Sequence, residues 1–170
     1  MKINCLSPIA LTKAFLPMMI RLSRKGRRPQ IVNILSVAGL VGVPVRSFYS
    51  ASKFALDGFG KALSSELSKE DVNVLQCYPA YVQTNVSKNA LVGEGKALGK
   101  TDANIGQGIP VEEACDDIVR AIYLRRRWVV IGGPYFQVVS KVANLVPEGL
   151  QRRMMAKNYK QQVAAISSSA

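Results

Sequence analysis

Three short runs rich in β-branched and aliphatic residues, QIVNIL (30–35), VNVLQCYP (72–79) and WVVIGG (128–133), alternate with segments of helical period. The runs are apolar at consecutive positions, which is how strands buried on both faces read. From Phe48 to Leu67 the apolar positions Leu56, Phe59, Leu63 and Leu67 recur every three or four residues, the spacing of a helix. PVEEACDDIVRAIYLRRR (110–127) predicts another helix, with Pro110 and two glutamates in its first turn and three arginines in its last. The opening segment is helical too. Leu6, Ile9, Ala10, Phe15, Met18 and Met19 make a broad apolar face. Ser7-Pro8 suits an N-cap and first-turn pair, Pro8 reads equally as a kink, and Pro17 marks a second irregularity. This alternation predicts an α/β fold with a parallel sheet and covering helices. An open doubly wound sheet has about six strands in two halves. The chain shows three and begins in a helix, so it reads as the C-terminal half of such a sheet, its first βαβ units absent.

At 170 residues and 48% hydrophobic content the chain can bury one core. Residues 1–133 form the α/β part, and 134–170 read as an amphipathic basic tail. That tail is either a helix packed on the domain or a partner, or an interfacial helix at lipid head groups. Residues 83–110 are polar and glycine-bearing without periodicity, the mark of a lid or binding loop. The balance of 23 basic against 11 acidic residues gives +12, concentrated in RLSRKGRR (21–28), RRR (125–127) and QRRMMAKNYK (151–160). Such charge favours phosphates or an anionic membrane. Nucleic acid is not expected as a partner, because aromatics are not interleaved with the basic clusters.

The sequence has no histidine, which removes Ser-His-Asp and Cys-His catalysis and most zinc chemistry. No metal site is expected. Cys5, Cys77 and Cys115 lie in largely apolar segments, so buried thiols in a reducing compartment are expected instead of disulfides. Asn4, Ser7, Pro8, Thr12 and Lys13 interrupt any signal-peptide core, and no uncharged apolar run reaches 18 residues.

The stretch RSFYSASKFALDGF (46–59) places Tyr49 and Lys53 four residues apart, on one face of the helix predicted there. A free phenol titrates near pH 10 and is a poor proton donor at neutrality, but an adjacent ammonium stabilises phenolate. Reduction of a carbonyl needs such a donor, since the oxygen must gain a proton as hydride reaches carbon. The spacing alone is common by chance. Its setting is not: a strand, a serine in the exit loop, glycines, then the helix that carries the pair.

In that setting the sequence resembles the short-chain dehydrogenase/reductase family. NILSVAGLVGVPVRSFYSASK resembles the family's serine loop and Tyr-x-x-x-Lys segment, with Ser36 thirteen residues before Tyr49. VNVLQCYPAYVQTN resembles its strand and Pro-Gly-x-x-x-Thr turn, and KINCLSPIALTKAFLPMM its asparagine-bearing helix, matching Asn4. The ending is most similar to the dehydrogenase/reductase member-seven subgroup. The resemblance implies a Rossmann-like fold and an oxidoreductase interconverting ketone and secondary alcohol. Tyr49 would be the general acid and base, and Lys53 would stabilise the phenolate and bond the nicotinamide ribose. Ser36 would orient the carbonyl, and Asn4 would hold a water linking Lys53 to solvent. Pro79, the backbone at Val82 and the Thr84 hydroxyl would meet the nicotinamide. Taken singly, Ser36 also reads as a turn residue, Asn4 as a helix cap and Thr84 as a loop residue.

The implied cofactor is NADP or NAD, with NADP favoured. The implied substrate is a small hydrophobic carbonyl or alcohol, lipid- or steroid-like. The resemblance also implies a homodimer and association with an endoplasmic reticulum or peroxisomal membrane, a cytoplasmic location being the alternative. The T-G-x-x-x-G-x-G turn that cradles pyrophosphate at a helix N-terminus is not in these residues. The expectation is therefore an N-terminally truncated form, inactive and poorly soluble alone. A non-catalytic basic module on a membrane or acidic partner is the alternative. GKALGKT (95–101) falls one residue short of a phosphate-binding loop and lacks a preceding strand. Ala80 stands where the family has glycine, which raises the question of a positive φ there.

Overall fold

A computed structural model of the chain describes residues 1–86, 103–142 and 146–167. The glycine-rich stretch 95–101 and most of the expected lid lie outside the described residues. A wide turn, Lys2–Leu6, leads into α1 (Ser7–Ser23), then β1 (Gln30–Ile34), α2 (Ser47–Glu66) and β2 (Asn73–Pro79). After these come α3 (Ala103–Gly106), α4 (Val111–Tyr123), β3 (Trp128–Ile131), α5 (Pro134–Val142) and α6 (Glu148–Ser167). The three strands are parallel in the order β1-β2-β3, with Asn33 opposite Gln76 and Cys77 opposite Val129.

Strand alternation divides β2 between two cores. Val74 packs with Ile31, Leu63 and Leu67 beneath α1 and α2, where Leu16, Met19, Ile20 and Phe59 close the layer. Tyr78 continues this side with Leu35, Leu56 and Val130. Leu75 and Cys77 point the other way, against Ala114, Ala121 and Ile131, with Ile118 and Ile122 of α4. Helices thus cover both faces of a parallel sheet. On the face of β1 away from α2, Val32 packs into this second core while Ile34 is exposed.

Several local expectations need correction. Ser7 is not an N-cap: the helix runs straight on from the wide turn, and the Ser7 hydroxyl donates to the Lys2 carbonyl at 3.1 Å. The three arginines are not in the last turn of α4, which ends at Tyr123. They follow it, through Arg125 at φ 49°. Residues 103–110 are not featureless, since α3 forms there and Ile109 pairs in parallel with Val82. The tail holds two helices, and Phe136 of α5 packs on the core beside Tyr81. Lys2–Ser23 is by length and mean hydropathy (1.4) able to cross a membrane, although no uncharged run of that length occurs.

Cys5 and Cys77 are buried, but Cys115 is exposed. Ala114, Ile118, Ala121 and Ile122 supply the sheet-facing stripe of α4, and Cys115 lies at its margin, about 20° beyond Ile122 around the helix. Burial pushes the Cys77 thiol up to about 11, and the thiolate is the reactive form. Iodoacetamide at mildly alkaline pH is therefore expected to label Cys115 alone in the folded chain. Peptide mass spectrometry after denaturation would add Cys5 and Cys77. Equal labelling of all three in the native state would contradict the packing.

Candidate active site

Parallel strands bring their C-terminal ends to one edge of the sheet, and the chain leaves β1 and β2 there. Ser36 follows β1 and caps a tight turn, Val37–Gly39: its Oγ accepts from the Ala38 amide at 3.2 Å. That bond uses a lone pair and leaves the hydroxyl proton free to donate. The turn sits directly on α2. A Cβ at Gly39 would lie 3.1 Å from the Lys53 carbonyl and 3.2 Å from its Cβ, so a side chain there would push the loop and helix apart by a few tenths of an ångström. The serine loop is thereby fixed against the turn of α2 that holds Lys53. Val43 adds a second tie, its amide donating to the buried Ser50 Oγ at 3.1 Å.

Tyr49 and Lys53 share one face of α2, as their spacing predicts. The Lys53 ammonium lies 5.7 Å from the Tyr49 ring centroid, within cation–π range. It donates to the Ile34 carbonyl at 2.9 Å, which leaves two further protons for other partners. Burial pushes this ammonium below the ordinary lysine range. Tyr49 is 37% exposed, so its side chain is open to the edge of the sheet and not enclosed in the core. No protein group bonds its hydroxyl among the described residues.

Asn4 sits in the wide turn before α1, where Leu6 N reaches back to Met1 O at 3.3 Å in an i→i+5 bond. Such wide turns recur at functional sites. Its Nδ2 lies 3.4 Å from Ser52 Oγ, and that fully buried hydroxyl donates to the Tyr49 carbonyl at 2.7 Å. Asn4 is therefore joined to the backbone of the Tyr49 turn, not to Lys53 directly. Ser52 is a member of the site that motif reasoning did not single out. Its place between Tyr49 and Lys53 on the helix was the available signal.

Beyond Pro79, Ala80 N donates to Ile131 O at 2.8 Å. Ala80 is not among the positive-φ residues, so its methyl is accommodated; Gly132, at φ 146°, gives it room on the neighbouring strand. The Val82–Ile109 bridge is made by Tyr81 O (3.0 Å) and Gln83 N (2.9 Å). It leaves the amide and carbonyl of Val82 without partners among the described residues. Thr84 is exposed just past them. Gly108 makes the bridge possible, since a Cβ there would meet Tyr81 O at 2.4 Å.

The nicotinamide end of a dinucleotide therefore fits the donor set present: spare ammonium protons on Lys53, a free phenol on Tyr49, and an open peptide at Val82. A pyrophosphate turn is not found within these 170 residues.

Under this edge lies a polar cluster that sequence reading did not reveal. Asp57, on α2 one turn beyond Lys53, is buried and accepts from Tyr78 OH at 2.6 Å and from Lys61 Nζ at 2.6 Å. Gln76 Nε2 donates to the Asp57 carbonyl at 3.2 Å, and Asn33 Nδ2 donates to Gln76 Oε1 at 2.6 Å. Burial, and then the Asp57 carboxylate, push the Tyr78 phenol far above its usual range, so it stays a donor. The signal in the sequence was an amide in the middle of each of two apolar strands.

A three-stranded parallel sheet covered by helices, with a tyrosine–lysine pair at its C-terminal edge, defines half of a Rossmann-like α/β fold. The short chain dehydrogenase family model matches residues 1–94, and the chain belongs to that family. It is 41% identical over 133 residues to Dehydrogenase/reductase SDR family member 7B of Xenopus laevis, covering 78% of this chain and 40% of the relative. Against the Bos taurus protein of the same name, identity is 36% over 92% of this chain and 46% of the relative. The chain thus spans less than half the length of these relatives. Among solved structures, a short chain dehydrogenase from Burkholderia cenocepacia in complex with NADP superposes with a TM-score of 0.68 at 23% identity, over 90% of this chain and 56% of that one. One from Sphingobium yanoikuyae in complex with NADPH gives 0.63 at 24%, over 90% and 53%.

Proposed function

We propose that the protein is an NAD(P)-dependent oxidoreductase that interconverts a ketone and a secondary alcohol on a hydrophobic, lipid- or steroid-like substrate. The observation that carries this is the open Tyr49 phenol with the Lys53 ammonium 5.7 Å from its ring. The bound nicotinamide would supply or accept the hydride. The chain's own residues handle the proton and the geometry. Tyr49 O–H hands its proton to the carbonyl oxygen as negative charge develops there, and takes one back in the oxidation direction. Ser36 donates its free hydroxyl proton to the same oxygen, holding the carbonyl in line as an oxyanion donor does. Lys53, fixed by Ile34, offers its remaining protons to ribose hydroxyls and stabilises the phenolate left behind. Asn4, held against Ser52, would seat the water that returns a proton from solvent. The Pro79–Thr84 turn supplies an amide and a carbonyl at Val82 for a carboxamide.

The test uses the full open reading frame in which this sequence occurs, with NADPH or NADH and a panel of apolar ketones. Stoichiometric alcohol formation with cofactor oxidation is the expected result. Absence of turnover across steroid, retinoid and long-chain carbonyls, with cofactor bound, would reject it. NADP is favoured over NAD by the family resemblance alone, since the structural relatives include complexes with NADP, NADPH, NAD and NADH.

A homodimer belongs to the same proposal. α1 exposes Leu11, Phe15 and Met18, and α2 exposes Phe48 and Phe54, more large apolar surface than single solvated residues explain. Phe15→Glu is expected to convert a dimeric mass in light scattering to a monomeric one without unfolding. A monomeric wild type that partitions into vesicles would instead make this face, which includes the Lys2–Ser23 helix of mean hydropathy 1.4, a membrane contact at the endoplasmic reticulum or peroxisome.

A further inference from the structure

The pole of the sheet opposite the candidate active site carries an arrangement that the reaction does not use. α1, α2 and α4 each end where β1, β2 and β3 begin, so three connections converge there, reading RKGRRP (24–29), SKED (68–71) and RRR (125–127). Cations close to helix C-termini are favourable in themselves, and Arg24 is satisfied by Glu70. Asp71 is built differently. Its Oδ2 accepts from Arg28 Nε at 2.9 Å and its Oδ1 from Arg125 Nη2 at 2.7 Å. Arg125 Nη1 also donates to the Arg28 carbonyl at 2.8 Å. One carboxylate, both oxygens used, thus holds two guanidiniums side by side. Arg125 reaches this position from a left-handed backbone, φ 49°, that a non-glycine residue adopts at a cost.

A cleft of about 260 Å³ opens beside the pair, lined by Arg28, Arg125 and Arg127 together with Ser64 and Ser68. The Nη groups of Arg28 and the whole Arg127 guanidinium have no partner among the described residues. Ser64 sits in the last turn of α2 and Ser68 just past its end, and neither hydroxyl has a partner among the described residues. The lining carboxylates Glu70 and Asp71 are both already paired.

We propose that this cleft binds a phosphate monoester group, with Arg28 and Arg127 as its anchors and the two serines as neutral donors. Guanidinium forks match phosphate oxygens bidentately; Arg28 is held in place by Asp71, and Arg127 on the same cleft keeps all its donors for the ligand. The volume accommodates a head group and not a dinucleotide. The same chemistry is carried by a small soluble phosphate ester or by a lipid such as phosphatidic acid.

The experiment titrates the full chain with inorganic phosphate at constant ionic strength, reading calorimetry and the thermal midpoint. In parallel, co-sedimentation compares phosphatidylcholine vesicles containing phosphatidic acid with charge-matched vesicles containing phosphatidylserine. Phosphate should bind the wild type, Arg127→Ala should weaken it at least about tenfold, and Arg153→Ala on α6 should leave it unchanged. Because the Arg127 side chain has no partner among the described residues, its variant should melt at the wild-type midpoint without ligand. Preference for phosphatidic acid vesicles assigns the site to a lipid head group; phosphate binding with no vesicle preference assigns it to a soluble ester. No phosphate binding, no loss in Arg127→Ala, or equal loss in Arg153→Ala would overturn the site, the last by reducing it to diffuse charge.

Discussion

Tyr49→Phe, in the full open reading frame, is expected to lower kcat about 10²–10⁴-fold for carbonyl reduction while leaving cofactor affinity within about twofold. The change removes one oxygen from a ring that is already partly exposed, so no packing is lost and no protein hydrogen bond is broken. What disappears is the proton delivered to the nascent alkoxide. Lys53→Met should behave differently. It takes away the cation above the ring and the bond to Ile34, and with them the donors offered to ribose. Both kcat and cofactor affinity should fall. Ser36→Ala should act mainly on kcat, since its capping bond to Ala38 is a local one that a solvated turn survives. Single-turnover kinetics with cofactor titration separates the three. Full hydride transfer by Tyr49→Phe would remove Tyr49 from the chemistry and with it the reading of this edge as the active site.

The contrast between what the sequence made legible and what it did not follows interaction range. The strands at 30–34, 73–79 and 128–131 came from local apolar runs, and Tyr49 with Lys53 from the period of one helix. Each signal is contained within a few residues, so it survives without knowledge of the fold. The Asn4–Ser52 contact joins residues 48 apart, and Asn33–Gln76 joins residues 43 apart through a strand register. No local pattern encodes that register; it is set when Ile31 and Val74 meet under the same helices. Cys115 was misplaced for a related reason. The apolar neighbourhood of a residue in sequence is not its neighbourhood on a helix, where about 100° per residue separates Ala114 from it. Arg125 shows the limit of propensity: a run of three arginines suits a helix end, yet the ion pair with Asp71 draws the first into a left-handed turn beyond it.

The largest loss of stability is expected at the buried cluster, and two glycines on α2 make its test a matter of sign. Asp57→Ala strips the acceptor from the buried Tyr78 hydroxyl and one of two acceptors from the buried Gln76, whose bond to the residue-57 carbonyl survives, while Lys61 is exposed enough to turn to water. Leaving buried donors unpaired costs about 1–3 kcal/mol each, less whatever water can enter. About 3 kcal/mol in total would lower the midpoint by roughly 6–12 °C in a chain of this size. Tyr78→Phe should cost less, because Lys61 and Gln76 continue to serve the carboxylate. Gly58 and Gly60 lie on the same helix, and alanine at an exposed helical site gains about 1 kcal/mol over glycine. At Gly58 nothing lies within 4 Å of an added Cβ, so Gly58→Ala should raise the midpoint. At Gly60 the Cβ would fall 2.4–2.6 Å from the Gln76 amide. A free glutamine would swing aside, but this one is held by Asn33 on one side and Asp57 on the other. Gly60→Ala should therefore lower the midpoint despite its better helix propensity. In an Asp57→Ala background the amide is partly released, and the same substitution should cost measurably less, a coupling that a double-mutant cycle reads directly. Equal, additive effects of Gly60→Ala in both backgrounds would mean that the cluster does not clamp α2, and with it Tyr49 and Lys53, onto the sheet.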